Sequence, residues 1–180
     1  MAAGSYCEAT DVNDAGQVTG RASIHPDPDR LPHAFVHDGT FRDLGILPDG
    51  ATSEGLAIND HGDVAGRASV PPNGSQHFHA TFWPAGGQIM DLDPHGKYVS
   101  SIATAVNNHG QVVGTVTLDA HGHMRAVRFD GQRAVRLDTE VRNLRGWTLE
   151  QALGVNDYGE IVGRGEAPDG SVHGFLLRPE

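Results

Sequence analysis

Cysteine is nearly absent: Cys7 stands alone among 180 residues. No internal disulfide can form, so the fold rests on packing, and a reducing compartment suits it. Basic residues are outnumbered, 13 Lys and Arg against 23 Asp and Glu, and the net charge is −10. That balance turns away nucleic acid, which requires a basic face. Aromatic residues make up 6% of the chain. They are too few for repeated sugar-stacking platforms, and Trp83 and Trp147 are not at equivalent positions. No apolar run approaches the roughly 20 residues of a membrane helix, so no membrane partner is expected. Met1-Ala2-Ala3-Gly4-Ser5 has neither a basic patch nor an apolar stretch; no signal peptide is expected, and the location reads as cytoplasmic. There is no Gly-rich phosphate loop between a strand and a helix, and no Gly-x-Ser-x-Gly elbow. Both absences lower the case for nucleotide chemistry and serine-type hydrolysis.

What the chain has in quantity is glycine, 24 residues of it dispersed among 10 prolines, as suits short strands and many turns. One phrase occurs four times: Val12-Asn13-Asp14-Ala15-Gly16, Ile58-Asn59-Asp60-His61-Gly62, Val106-Asn107-Asn108-His109-Gly110 and Val155-Asn156-Asp157-Tyr158-Gly159. Each is followed by a short apolar run ending in glycine. The four Asn lie 46, 48 and 49 positions apart. Self-similarity at that period signals stacked or ring-arranged supersecondary units. Asn and Asp side chains bond their own backbone and favour turns, while Gly supplies the left-handed residue of a hairpin loop. Each phrase is therefore expected to join two antiparallel strands.

The remainder of each repeat also aligns. A third strand is expected at His33–His37, His79–Trp83, Arg125–Phe129 and His173–Leu177. A fourth is expected at Phe41–Leu44, Ile89–Leu92 and Ala134–Leu137, with none in the last copy. No helical period is evident. Four-stranded units repeated every 40–50 residues are the pattern of propeller blades. The expectation is an all-β small propeller of four repeats, a single domain over 1–180 divided at about 5–50, 51–97, 98–147 and 148–180, its last blade incomplete. The loops 24–32 and 71–75 read as solvated connections. Residues 1–4 are barely long enough to supply a closing strand, so the last blade is expected to have three strands or to be completed by a few N-terminal residues; an unsealed blade leaves a monomer or a homodimer through that edge.

His33-Ala34-Phe35, followed by Asp43-Leu44-Gly45 and the Ile58-Asn59-Asp60 phrase, resembles the HAF-repeat family, named for its His-Ala-Phe strand. The resemblance covers nearly the whole chain, with drifting copies at His79-Ala80-Thr81, Arg125-Ala126-Val127 and His173-Gly174-Phe175. It implies a propeller-like repeat β protein of a family described as extracellular, with no common activity. The absence of an export signal departs from that description.

Residues recurring in every repeat serve packing; departures from the repeat are where function is sought. The Asn-Asp turns fall in the first class. The equivalent His33, His79 and His173 serve either to bond a neighbouring blade or to face a ligand; no metal is expected, since sheet positions in separate blades need not converge. Small residues at Ala9, Gly55, Ala103 and Ala152 suggest crowding on the innermost strands. Just before them, Glu8, Glu54 and Gln151 stand in register with Ile102, and Asp11 replaces a small residue. Two carboxylates beside a central cavity form a candidate acid/base pair; otherwise they are a solvated rim. Repeat three adds Arg125, Arg128 and Arg136, and the long connection after it carries Glu140, Arg142, Arg145 and Trp147. This corner could hold a carboxylate by bidentate guanidinium bonds, or simply pair with Asp138 and Glu140.

The functional expectation is a cofactor-free enzyme performing acid/base-assisted cyclisation, condensation or elimination on an organic metabolite, of the cyclase or lyase kind found in biosynthesis. Its catalytic candidates are Glu8, Glu54, His33 and His79; its substrate-binding candidates are Asp11, Arg125, Gln151, Trp147 and His173, for a small and carboxylate-bearing ligand. The alternatives are a non-catalytic module binding carbohydrate or protein, and a structural repeat assembling through its open edge.

Overall fold

A computed structural model describes residues 6–23, 31–71 and 77–179. The expected loops at 24–32 and 71–75, and any closing role of residues 1–4, fall largely or wholly outside them. Among the described residues, fifteen strands form four antiparallel sheets, each sheet written by one repeat. Sheet 1 holds β1 (Cys7–Val12), β2 (Val18–Ala22), β3 (His33–His37) and β4 (Phe41–Gly45). Sheet 2 holds β5 (Ser53–Ile58), β6 (Val64–Ser69), β7 (Phe78–Trp83) and the two-residue β8 (Met90–Asp91). Sheet 3 holds β9 (Ser100–Val106), β10 (Val112–Thr117), β11 (Met124–Asp130) and β12 (Arg133–Arg136). Sheet 4 holds β13 (Thr148–Val155), β14 (Ile161–Glu166) and β15 (Val172–Leu177). The last sheet has three strands, as its sequence implies. One 3-10 turn, Leu137–Thr139, follows β12.

The Asn-Asp turns are built as their composition requires. Gly16, Gly62, Gly110 and Gly159 take φ of 77°, 81°, 72° and 74°, a left-handed conformation that a Cβ makes costly. A second glycine role is geometric. The first strand of every sheet skips a residue at an equivalent place in its pairing, at Thr10, Leu56, Thr104 and Leu153, and that of sheet 4 skips Glu150 as well. Opposite each break sits Gly20, Gly66, Gly114 or Gly163, where a Cβ would fall on the carbonyl of Glu8, Glu54, Ile102 or Gln151. Such bulges bend a strand and sharpen its twist.

The sheets stack in chain order through three apolar cores. Ala34 and Val36 of sheet 1 meet Ile58, Val64 and Trp83 of sheet 2. Ala65 and Ala80 of sheet 2 meet Ala103, Val106, Val112 and Phe129 of sheet 3. Val113 and Ala126 of sheet 3 meet Leu149, Ala152 and Ile161 of sheet 4. Among the described residues no such core joins sheet 4 to sheet 1. Consequently β6 and β10 are covered on both faces, whereas β14 alternates between buried and exposed residues.

Candidate functional site

At the turn end of the array, the Asn side chains link one sheet to the next. Asn13 Nδ2 donates to the Asn59 carbonyl at 2.8 Å, Asn59 Nδ2 to that of Asn107 at 3.0 Å, and Asn107 Nδ2 to that of Asn156 at 2.9 Å. Beside this ladder runs another. The Asp14 N–H donates to Asp60 Oδ1, the Asp60 N–H to Asn108 Oδ1, and the Asn108 N–H to Asp157 Oδ1. Asp60 is held below its ordinary value by the Asp14 N–H and then by the Asn108 amide. The four turns surround one depression of about 330 Å³. Asp11 lines it, but both its oxygens accept backbone protons, Oδ1 from Val12 and Oδ2 from Ile58 across to sheet 2. Asp11 therefore pins two sheets together.

At the opposite end, antiparallel register places Glu8 against Arg21, Glu54 against Arg67 and Gln151 against Arg164. Arg21 bridges the two carboxylates: it bonds Glu8 Oε2 at 2.8 Å and approaches Glu54 Oε1 at 3.5 Å. Arg67 closes on Glu54 Oε2 at 2.7 Å and stacks over Phe78. The Tyr6 hydroxyl and then Arg21 hold Glu8 below the usual carboxylate range. Glu8 is thus an anion at neutral pH rather than a proton donor, and Glu54 sits buried between two guanidinium groups.

The third-strand histidines turn to their own sheets. His33 Nδ1 lies 3.0 Å from Asp43 of β4, and His79 Nδ1 lies 2.9 Å from Asp91 of β8. The Asp91 hydrogen bond raises His79 above its ordinary value, against the pull of burial. Nearby Asp93 is also raised, chiefly by burial. Among the described residues no fourth strand brings such a carboxylate to His173; it contacts Ser171 Oγ at 2.9 Å and packs on Trp147, ring centres 5.9 Å apart. Gln151 Nε2 meets Met124 Sδ. The geometry therefore brings Glu8 to Glu54 through Arg21, and Trp147 to His173, while His33 and His79 each form a separate dyad. Among the described residues no three His, Cys, Asp or Glu converge as metal ligands would.

In the arginine corner Arg128 and Arg136 pair as the plainer reading has it, while the buried Arg125 Nε makes no hydrogen bond among the described residues. Arg136 and Arg125 face Asp138 at 2.5 and 3.6 Å. Arg128 grips Glu140 with two bonds of 2.7 and 2.9 Å, which lowers the Glu140 carboxyl. Beside that pair, between sheets 3 and 4, opens a groove of about 500 Å³. Leu137, Val141, Ile161, Leu176, Leu177 and Pro179 form its apolar wall, and Arg128, Glu140, Arg142 and Arg178 line it as charged residues. Arg178 donates through Nε to Glu160 at 3.0 Å. Sequence reasoning found Arg128 and Arg142 but missed the groove and Arg178. The available signal was that repeat four writes three strands; among the described residues no strand pairs with the outer edge of β15.

No family model matches the chain, and no curated protein or solved structure compared with it does. The resemblance to HAF repeats rests on the repeated residues themselves.

Proposed function

We propose that the four sheets are blades of a propeller-like array, and that the chain binds a small carboxylate-bearing organic ligand in the groove between sheets 3 and 4. Two facts support the propeller reading: sheet-to-sheet stacking in chain order, and four equivalent turns around one depression. The binding reading is carried by the groove. Its volume of about 500 Å³ falls in the range of small-molecule sites, and it offers an apolar wall with few charged groups. Guanidinium groups suit a planar carboxylate. Calorimetric titration with a panel of aliphatic and aromatic carboxylates tests it. Binding that falls at least tenfold in Arg178→Ala and Arg142→Ala supports the reading; no binding, or binding indifferent to both, overturns it.

Catalysis is the second reading, favoured by the His79–Asp91 dyad, whose 2.9 Å contact is the pairing that orients a general base. Cyclisation, condensation or elimination without a cofactor is the chemistry it suits. Mass spectrometry of a metabolite pool incubated with the protein tests this. Turnover that vanishes in Glu8→Gln/Glu54→Gln or in His79→Gln supports it and assigns the residues; full turnover in all of these variants removes them.

A further inference from the structure

The array ends on a face shaped to receive another sheet, and begins on a face shaped to be received. At the internal junctions Ala65 and Val113 point forward to the next sheet and are 0% exposed; Val162, in the same position of sheet 4, is 47% exposed. Ile58 and Val106 point backward and are 6% and 9% exposed; Val12, their equivalent in sheet 1, is 60% exposed.

The polar groups on these faces match as well, although Glu8 already pairs with Arg21 and Arg164 stands 3.7 Å from Glu150. Arg21 of sheet 1 reaches forward to Glu54 of sheet 2. The corresponding forward arginine of sheet 4 is Arg164, and the corresponding backward carboxylate of sheet 1 is Glu8, each about half exposed. Asn13, Asn59 and Asn107 each spend an amide proton on the next sheet, whereas among the described residues Asn156 Nδ2 bonds only Glu160 of its own turn. The Asn13 carbonyl accepts from Gly16 and keeps the lone pair that Asn59 uses for Asn13. The N–H of Ala34 donates to Ser53 Oγ, and that of Ala80 to Ser101 Oγ, across their junctions. By register the later donor positions are Ala126, whose slot across the junction of sheets 3 and 4 holds Leu149 in place of serine, and Gly174 of sheet 4; Cys7 holds the serine slot of sheet 1.

We infer that a second copy of this chain covers both faces: sheet 4 of each copy packs on sheet 1 of the other, head to tail. The interface is heterologous, and two copies close it into a ring. Propellers close with about four to eight blades, and two four-sheet arrays make eight. That count rests on the propeller reading; the junction itself rests only on the matched faces.

Light scattering and native mass spectrometry should give twice the chain mass of 19.1 kDa. Val162→Lys alone and Val12→Lys alone should each be monomeric with unchanged circular dichroism. Mixed, they should form a one-to-one pair, because each supplies the intact face that the other lacks. Gly174→Cys should form a disulfide with Cys7 of a second copy on mild oxidation, giving a covalent dimer that Cys7→Ser removes; this decides the matter even if a lysine variant misfolds. A monomeric wild type, a Gly174→Cys disulfide within one chain, a dimer indifferent to both lysines, or a mass that keeps growing with concentration each overturns the proposal. Carboxylate binding in the groove is read separately, so either result stands without the other.

Discussion

Asn13 donates its side-chain amide to the backbone carbonyl of Asn59, 46 residues further on, at 2.8 Å. The same side chain also organises its own turn, because Asn13 Oδ1 accepts the Gln17 N–H at 2.8 Å. One residue thus closes a hairpin and fastens it to the next sheet.

Asn59→Ala should therefore cost more stability than Asn156→Ala. Asn59 is buried and carries both functions. Asn156 is exposed; its Oδ1 still organises its own turn, but among the described residues its Nδ2 meets only Glu160. Leaving buried partners unpaired costs about 1–3 kcal/mol, so urea melts should separate the two variants by at least about 1 kcal/mol.

Two alanine substitutions of glycine should differ sharply. Gly110 has φ of 72° with open space around its Cβ position, so Gly110→Ala should cost about 1–2 kcal/mol. At Gly114 a Cβ meets the Ile102 carbonyl, and backbone must move to admit it. Gly114→Ala should lower the denaturation midpoint well beyond Gly110→Ala, or abolish folding.

The Glu54 cluster gives an asymmetric prediction. Arg67→Met leaves a buried carboxylate with only the longer Arg21 contact, and should cost about 1–3 kcal/mol. Glu54→Gln keeps a hydrogen-bond acceptor and removes the buried charge, so it should cost less. Chemical denaturation of both variants checks the order.

His79 sets a pH dependence. Its folded value is raised above 6.5, so its contribution to stability is complete below that value. It is lost as pH rises through the folded value. Asp93, also raised, contributes a change of the same sign at lower pH. Thermal melts between about pH 6 and pH 9 should show stability falling for the wild type and a flatter profile for His79→Gln. Equal slopes would remove His79 as the source.

The repeat itself was legible because turn chemistry is local. Asn, Asp and Gly at fixed offsets announce a hairpin, and strand ends came within a residue or two, as at His33–His37. Which groups meet across sheets was not legible. Thr10 Oγ1 bonds the Gly55 carbonyl only because a bulge turns it forward, and nothing local in the sequence marks that bulge. The same limit applies to the site. Register showed that Glu8 and Glu54 are equivalent, but not that Arg21 stands between them. Equivalence also suggested that the histidines reach neighbouring blades, whereas a carboxylate on the adjacent strand holds each of His33 and His79.

The Asn ladder runs in one direction, each amide reaching toward the C-terminus. On a ribosome this imposes a delay. A repeat emerges with its Asn proton waiting for a carbonyl not yet synthesised, 46 to 49 residues behind. At about 5–20 residues per second the wait is roughly 2–10 s, long compared with the microseconds of hairpin formation. Each hairpin therefore forms first and is fastened later, and assembly proceeds as a zipper lagging one repeat behind synthesis.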